Sequence, residues 1–138
     1  MDYRYRGDVN KLQGHDPVGS GECVALVQQF AKAPQTTRWR PGLHVLDAEY
    51  IAPGTAIATF SSPIAPFRST HGNHAALFMY AGPKAPDTKQ PKYIVVMDQW
   101  KGREGGIKAR RINYYSPEAA KAKRILDSDN AAAFYVIR

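Results

Sequence analysis

Cysteine is almost absent from this sequence, where Cys23 stands alone. One thiol excludes an intramolecular disulfide and every multi-cysteine zinc or iron–sulfur site. Long apolar runs are missing too. The opening MDYRYRGDVNKLQG lacks the roughly 7–15 apolar residues of a signal peptide, and no later run approaches the ~20 of a membrane span. The expectation is a protein made in the cytoplasm without a signal peptide and not inserted in a membrane. Acids are outnumbered, 12 Asp and Glu against 19 Lys and Arg, for a net charge of +7. That balance keeps acidic polymers, bacterial cell wall included, in view as partners. The basic residues are dispersed and densest at Lys101, Arg103, Lys108, Arg110 and Arg111, with Lys121, Lys123 and Arg124 beyond. No zinc-finger, RNP or similar nucleic-acid pattern accompanies them, so solvated surface charge is their expected role and no specific nucleic acid is expected.

With 138 residues, 43% of them hydrophobic, the chain is sized for one globular domain spanning 1–138, expected as a monomer. The stretch VGSGECVALVQQF, residues 18–30, places the lone thiol in the first turn of an expected helix. Ser20 is the expected N-cap, Glu22 falls in the first turn, and Cys23, Leu26, Val27 and Phe30 repeat at helical steps. Free N–H groups and the dipole at such an end stabilise a thiolate and can donate to an oxyanion. A buried free cysteine is also an ordinary small core residue, and the helix alone favours that reading.

The helix is expected to end near Ala33, before Pro34. TTRWRPG (36–42) reads as a loop whose Trp39 is either a hydrophobic plug or a wall of a substrate groove. LDAEYIA is ambiguous, with a helical turn one option. Strands are expected at Thr55–Phe60, from His74 to Tyr80, over Lys92–Trp100, after a Gly105-Gly106 bend, and in the terminal AAAFYVIR. Ser116-Pro117 opens a short helix through about Leu126. A long loop, Ser61 to Gly72, precedes the histidine-bearing strand.

Cys23, a histidine opening one strand and an acid near the end of the next form a nucleophile, a base and an orienting group. His74 is anchored to the apolar run HAALFMY, whereas His71 remains in the loop as an alternative base or a substrate contact. Asp98 shares a face with Ile94, Val96 and Trp100, an expensive place for an unpaired acid. Gln99, pointing the other way, is the alternative orienting group. A metal site built on His71-x-x-His74 with Cys23 or Asp98 is a weak reading, because a Gly-Asn break separates the two imidazoles.

VGSGECVALVQ, WRPG, PGTAIATF, HGNHAALF, YIVVMDQW and SDNAAAFYVI together resemble small bacterial proteins related to the NlpC and CHAP cysteine peptidases and amidases, from about Val18 onward. HGNHAA and DQW are the most specific of these motifs. The resemblance implies an α+β, papain-like core in which an N-terminal nucleophile helix packs on a central antiparallel sheet. It implies a catalytic trio of Cys23, His74 and Asp98. Trp39, His71, Gln99 and Trp100 are candidate substrate contacts, and neither metal nor cofactor is expected. The order, cysteine before histidine, differs from that of the permuted lipid acyltransferases. Such relatives cut amide bonds in peptidoglycan. Several small members without a signal peptide resemble amidase effectors that a type VI secretion apparatus delivers to the periplasm of rival bacteria, each with a cognate immunity protein. Two other readings stand beside this one: a catalytically silent module binding cell wall or another polyanion, and a nucleic-acid-binding domain suggested by charge alone.

Overall fold

The structure, a computed structural model, describes residues 2–138. Two helices, α1 (Cys23–Phe30) and α2 (Pro117–Lys123), accompany six strands: β1 (Pro41–His44), β2 (Ala56–Thr59), β3 (Ala75–Ala81), β4 (Tyr93–Asp98), β5 (Lys108–Asn113) and β6 (Phe134–Ile137). All six strands join one antiparallel sheet in the order β1-β6-β2-β3-β4-β5. The expected α+β architecture, an N-terminal helix on a central antiparallel sheet, is the one observed.

Strands β2, β3 and β4 have short apolar sequences because both faces of the sheet are covered. On one face Leu26 and Val27 of α1 pack with Ala56, Ala58, Ala75, Leu77 and Met97. The alanines there are small enough for the helix to lie close to the sheet. On the other face Ile57, Phe78, Ile94, Val96, Ile112 and Phe134 pack against Val45, Leu46 and Ala131. Pairing of Leu77 with Met97 brings the start of β3 and the end of β4 to the same end of the sheet. The N-terminus of α1 lies at that end as well.

Several local expectations are corrected. Helix α1 begins at Cys23 with Glu22 as N-cap, and Ser20 instead accepts a hydrogen bond from the Glu22 N–H at 3.3 Å. The helix stops at Phe30, because Lys32 takes a left-handed conformation (φ 63°) before Pro34 is reached. Part of the expected 36–42 loop is β1, an edge strand opened by a proline, whose missing N–H costs little at a sheet edge. The 43–53 segment holds the end of β1 and then a 3-10 turn, Val45–Asp47, in place of an α-helical turn. Residues 99–107 form a longer connection than a tight hairpin, and α2 ends at Lys123, capped by Arg124 in left-handed conformation. Ser116 does cap α2, accepting from the Ala119 N–H at 3.2 Å.

Asn130 fastens the last crossover to the sheet. Its Oδ1 accepts from the Tyr115 and Ala132 N–H groups, both at 3.1 Å, and its Nδ2 donates to the Tyr115 carbonyl at 3.3 Å. Asn130→Ala leaves three poorly exposed backbone groups without these partners, so a loss of about 1–3 kcal/mol is expected in urea unfolding.

Candidate active site

His74 lies one residue before β3, and its backbone is fixed by the buried Thr59 of β2. The His74 N–H donates to Thr59 Oγ1 at 3.0 Å, and the Thr59 N–H donates to the His74 carbonyl at 2.9 Å. Thr59 Oγ1 also donates to Asn73 Oδ1 at 3.0 Å, and Asn73 folds back on Thr70. The HGNH segment is thus a hydrogen-bonded turn that hands a buried imidazole to the sheet end.

The His74 ring meets Asp98, the last residue of β4: Nε2 is 2.8 Å from Oδ2. Asp98 is fully buried, and two guanidiniums share it, Arg103 Nη1 on Oδ1 at 2.8 Å and Arg110 Nε on Oδ2 at 2.9 Å. Arg103 Nη1 also donates to the Asp98 carbonyl at 2.7 Å. An ionised carboxylate only accepts, so Nε2 carries a hydrogen and Nδ1 is the ring nitrogen left to face Cys23. Gln99 does not touch His74, which corrects its reading as an alternative orienting group.

Burial works against a charged imidazole, but the hydrogen bond to Asp98, then Cys23 as hydrogen-bond partner, and the charges of both raise the His74 pKa above its ordinary 6.5. For Asp98, burial pushes upward, yet the hydrogen bond and charge of His74, followed by Arg110, hold the carboxyl below its ordinary 3.8.

Cys23 is partly exposed at the N-terminus of α1. The N–H groups of Cys23 and Val24 open the helix and take no acceptor among the described residues, while the Ala25 N–H bonds to the Glu22 carbonyl at 3.1 Å. A cavity of about 420 Å³ opens beside the sulfur, lined by Glu22, Phe67, Thr70, Asn73 and Lys101 among others. A second of about 350 Å³ lies against Arg110, Leu126 and Asp129. Both share His71, Asn73, His74 and Trp100, so the space continues past the imidazole on two sides. Trp100 is 40% exposed, holds its ring edge-on to His74 at 6.2 Å between centroids, and carries Arg103 at 4.0 Å over its face.

Two candidate substrate contacts lie elsewhere. Trp39 is fully buried, donates its indole N–H to the Pro34 carbonyl at 2.9 Å, and packs on Phe67, so it backs the cavity wall without reaching the cavity. Gln99 is also fully buried, with every hydrogen bond to main chain. His71 and Trp100 do line both cavities. The clamp by Arg103 and Arg110 was not expected, since both were read as solvated charge. Strand register carries the missed signal: Asp98 pairs with Lys108 and Val96 with Arg110, which sets Arg110 diagonal to the acid on the same face. Among the described residues no three His, Cys, Asp or Glu side chains gather as a metal site, and no helix is long and apolar enough to cross a membrane.

Asp98 contributes stability that is present above about pH 3.8 and lost as pH falls through its lower folded value. His74 contributes stability present below about 6.5 and lost as pH rises through its higher folded value. Urea midpoints of the wild type are therefore expected to fall at both ends, with His74→Gln removing the neutral-range dependence. Asp98→Asn leaves two guanidiniums without their buried counter-charge and is expected to cost about 3–5 kcal/mol at pH 7.

Residues 5–137 match the family described as "Domesticated amidase effector 2". A "Type VI secretion amidase effector 2 protein" of Salmonella typhi is 37% identical over 142 residues, covering 99% of each chain. The solved structure of "Type 6 secretion amidase effector 2 (Tae2)" is similar with a TM-score of 0.77 and 28% identity, over 99% of this chain and 94% of that one. In keeping with the expected likeness to type VI secretion amidase effectors, the chain belongs to the amidase effector family described as "Domesticated amidase effector 2".

Proposed function

We propose that this protein is a cysteine amidase that hydrolyses an amide bond of bacterial peptidoglycan, with Cys23 as nucleophile, His74 as base and then acid, and Asp98 as the group that orients the imidazole. The observation that carries this reading is the single His74 ring bonded through Nε2 to a buried, ionised Asp98 while Cys23 acts on it from the cavity side.

In this mechanism His74 Nδ1 takes the thiol proton and the Cys23 sulfur attacks the carbonyl carbon. The oxyanion that forms is met by the Cys23 and Val24 N–H groups at the start of α1, which have no acceptor among the described residues. The imidazolium returns its proton to the amide nitrogen, the C–N bond breaks, an amine leaves, and a thioester remains on Cys23. Water, losing a proton to Nδ1, attacks the thioester and releases the carboxylic acid and the thiol. Asp98 stays ionised throughout because Arg103 and Arg110 share its charge.

The relatives named as type VI secretion amidase effectors support this reading, and so does the chemistry around the cleft. Lys101 and Arg110 line it, and the net charge of +7 suits a substrate rich in carboxylates, as stem peptides are. On this reading the chain is one catalytic domain acting as a monomer in the periplasm of a target cell, and a cognate immunity protein blocks it in the producer.

Chromatographic profiling of purified sacculi tests the proposal. Wild type is expected to release new muropeptides carrying a free amine and a free carboxylate, and Cys23→Ala and His74→Ala to leave the profile at background. Equal digestion by Cys23→Ala contradicts the cysteine mechanism.

A further inference from the structure

The five residues before Cys23, Val18–Glu22, form a glycine-bearing turn whose own side chains supply one bond to it, Ser20 Oγ accepting from the Glu22 N–H. Gly19 and Gly21 both adopt left-handed backbone, φ 57° and 85°, the conformation in which glycine is the natural residue. The turn closes through the Gly21 N–H on the Val18 carbonyl at 3.0 Å. No side chain caps α1, so the start of the helix takes no support from a cap of its own.

Gln99 supplies what is missing. Its Oε1 accepts from the Val18 N–H at 2.9 Å, and its Nε2 donates to the Val18 carbonyl at 3.0 Å and to the Glu22 carbonyl at 2.8 Å. Those bonds grip the first and last residues of the glycine turn, the last being the residue bonded to Cys23. Both amide hydrogens are spent, so this side chain has none to offer an oxyanion or a substrate. Gln99 follows Asp98, and successive residues of an extended chain point to opposite sides. One step of backbone thus sends one side chain to the base and the next to the loop that carries the nucleophile.

From this geometry we infer that Gln99 is a positioning residue, which sets the distance between the Cys23 sulfur and the His74 ring by bolting the Val18–Glu22 turn to the end of β4. The inference rests on Cys23 acting as the nucleophile. A residue serving only the fold would stabilise the protein without selectively changing the chemistry at the sulfur. A clasp of this kind acts on the chemical step and leaves substrate binding largely alone, because a nucleophile displaced by an ångström loses on the order of 10²-fold in rate.

The test compares Gln99→Met, which keeps the volume and removes all three bonds, with Gln99→Glu, which keeps an acceptor for the Val18 N–H and loses both donors. Val45→Ala, in the core on the other face of the sheet, is the control for a general loss of stability. Steady-state kinetics on soluble muropeptides and the rate of iodoacetamide alkylation are measured at temperatures where each variant is folded. Cys23 is the only thiol, so alkylation reports one site. Expected for both Gln99 variants is a fall in kcat of about 10²-fold with KM within about threefold, and a parallel fall in alkylation rate. Val45→Ala should retain both rates. Wild-type kcat and alkylation in the Gln99 variants, a rise in KM alone, or losses matched by Val45→Ala would overturn the inference. If Gln99→Met does not fold, Gln99→Glu decides alone. If Cys23→Ala proves active, the cysteine mechanism falls, while the alkylation rates still judge the clasp.

Discussion

A carboxylate fully enclosed by protein can stay ionised only if its surroundings replace the water it has lost, and Asp98 is surrounded on that principle. His74, Arg103 and Arg110 donate to its side-chain oxygens from three parts of the chain: the turn before β3, the connection after β4, and β5. Arg110 also reaches Asp129 Oδ1 at 3.0 Å and the Ser128 carbonyl at 3.2 Å, which ties the segment behind α2 to the same acid. The Ser128 N–H returns to the Gly72 carbonyl at 2.9 Å, beside the histidine. A ring of polar contacts therefore closes around Asp98, and the cleft walls are members of it.

The second consequence of that acid is directional. An imidazole has two nitrogens, and an anion on Nε2 decides that Nδ1 faces the sulfur. On the Cys23 side Gln99 bonds Val18 and Glu22, so adjacent residues at the end of one strand reach the imidazole and the turn that precedes the thiol. Leu26 and Val27 pack α1 on the sheet, and polar bonds at this end add direction to that apolar contact. The DQ pair places the charged bond to His74 on one side of the strand and three neutral bonds to the turn before α1 on the other.

Much of this was legible in the sequence, and the parts that were not have physical reasons. Strands β2, β3 and β4 announce themselves as apolar runs between turn residues, and period-two alternation selected His74 over His71. Strand β1 has only four residues, begins with proline and pairs with the far end of the chain, so no local signal marks it. Trp39 was ambiguous because a tryptophan in a polar segment fits a plug and a groove equally well, and only the packing against Phe67 separates them. Arg103 and Arg110 resembled surface charge because the partner that turns them inward is an acid read as needing only a histidine. The Gln99 bonds could not be foreseen, since their partners are main-chain atoms 77 and 81 residues away that carry no sequence identity.

Asp98 fixes the tautomer of His74 and raises its proton affinity. Nitrogen-15 NMR of the ring in the resting protein, followed across pH, tests it most directly. The neutral ring is expected as the Nε2–H tautomer, with titration above the ordinary 6.5. An Nδ1–H tautomer, or titration at or below 6.5, would contradict it.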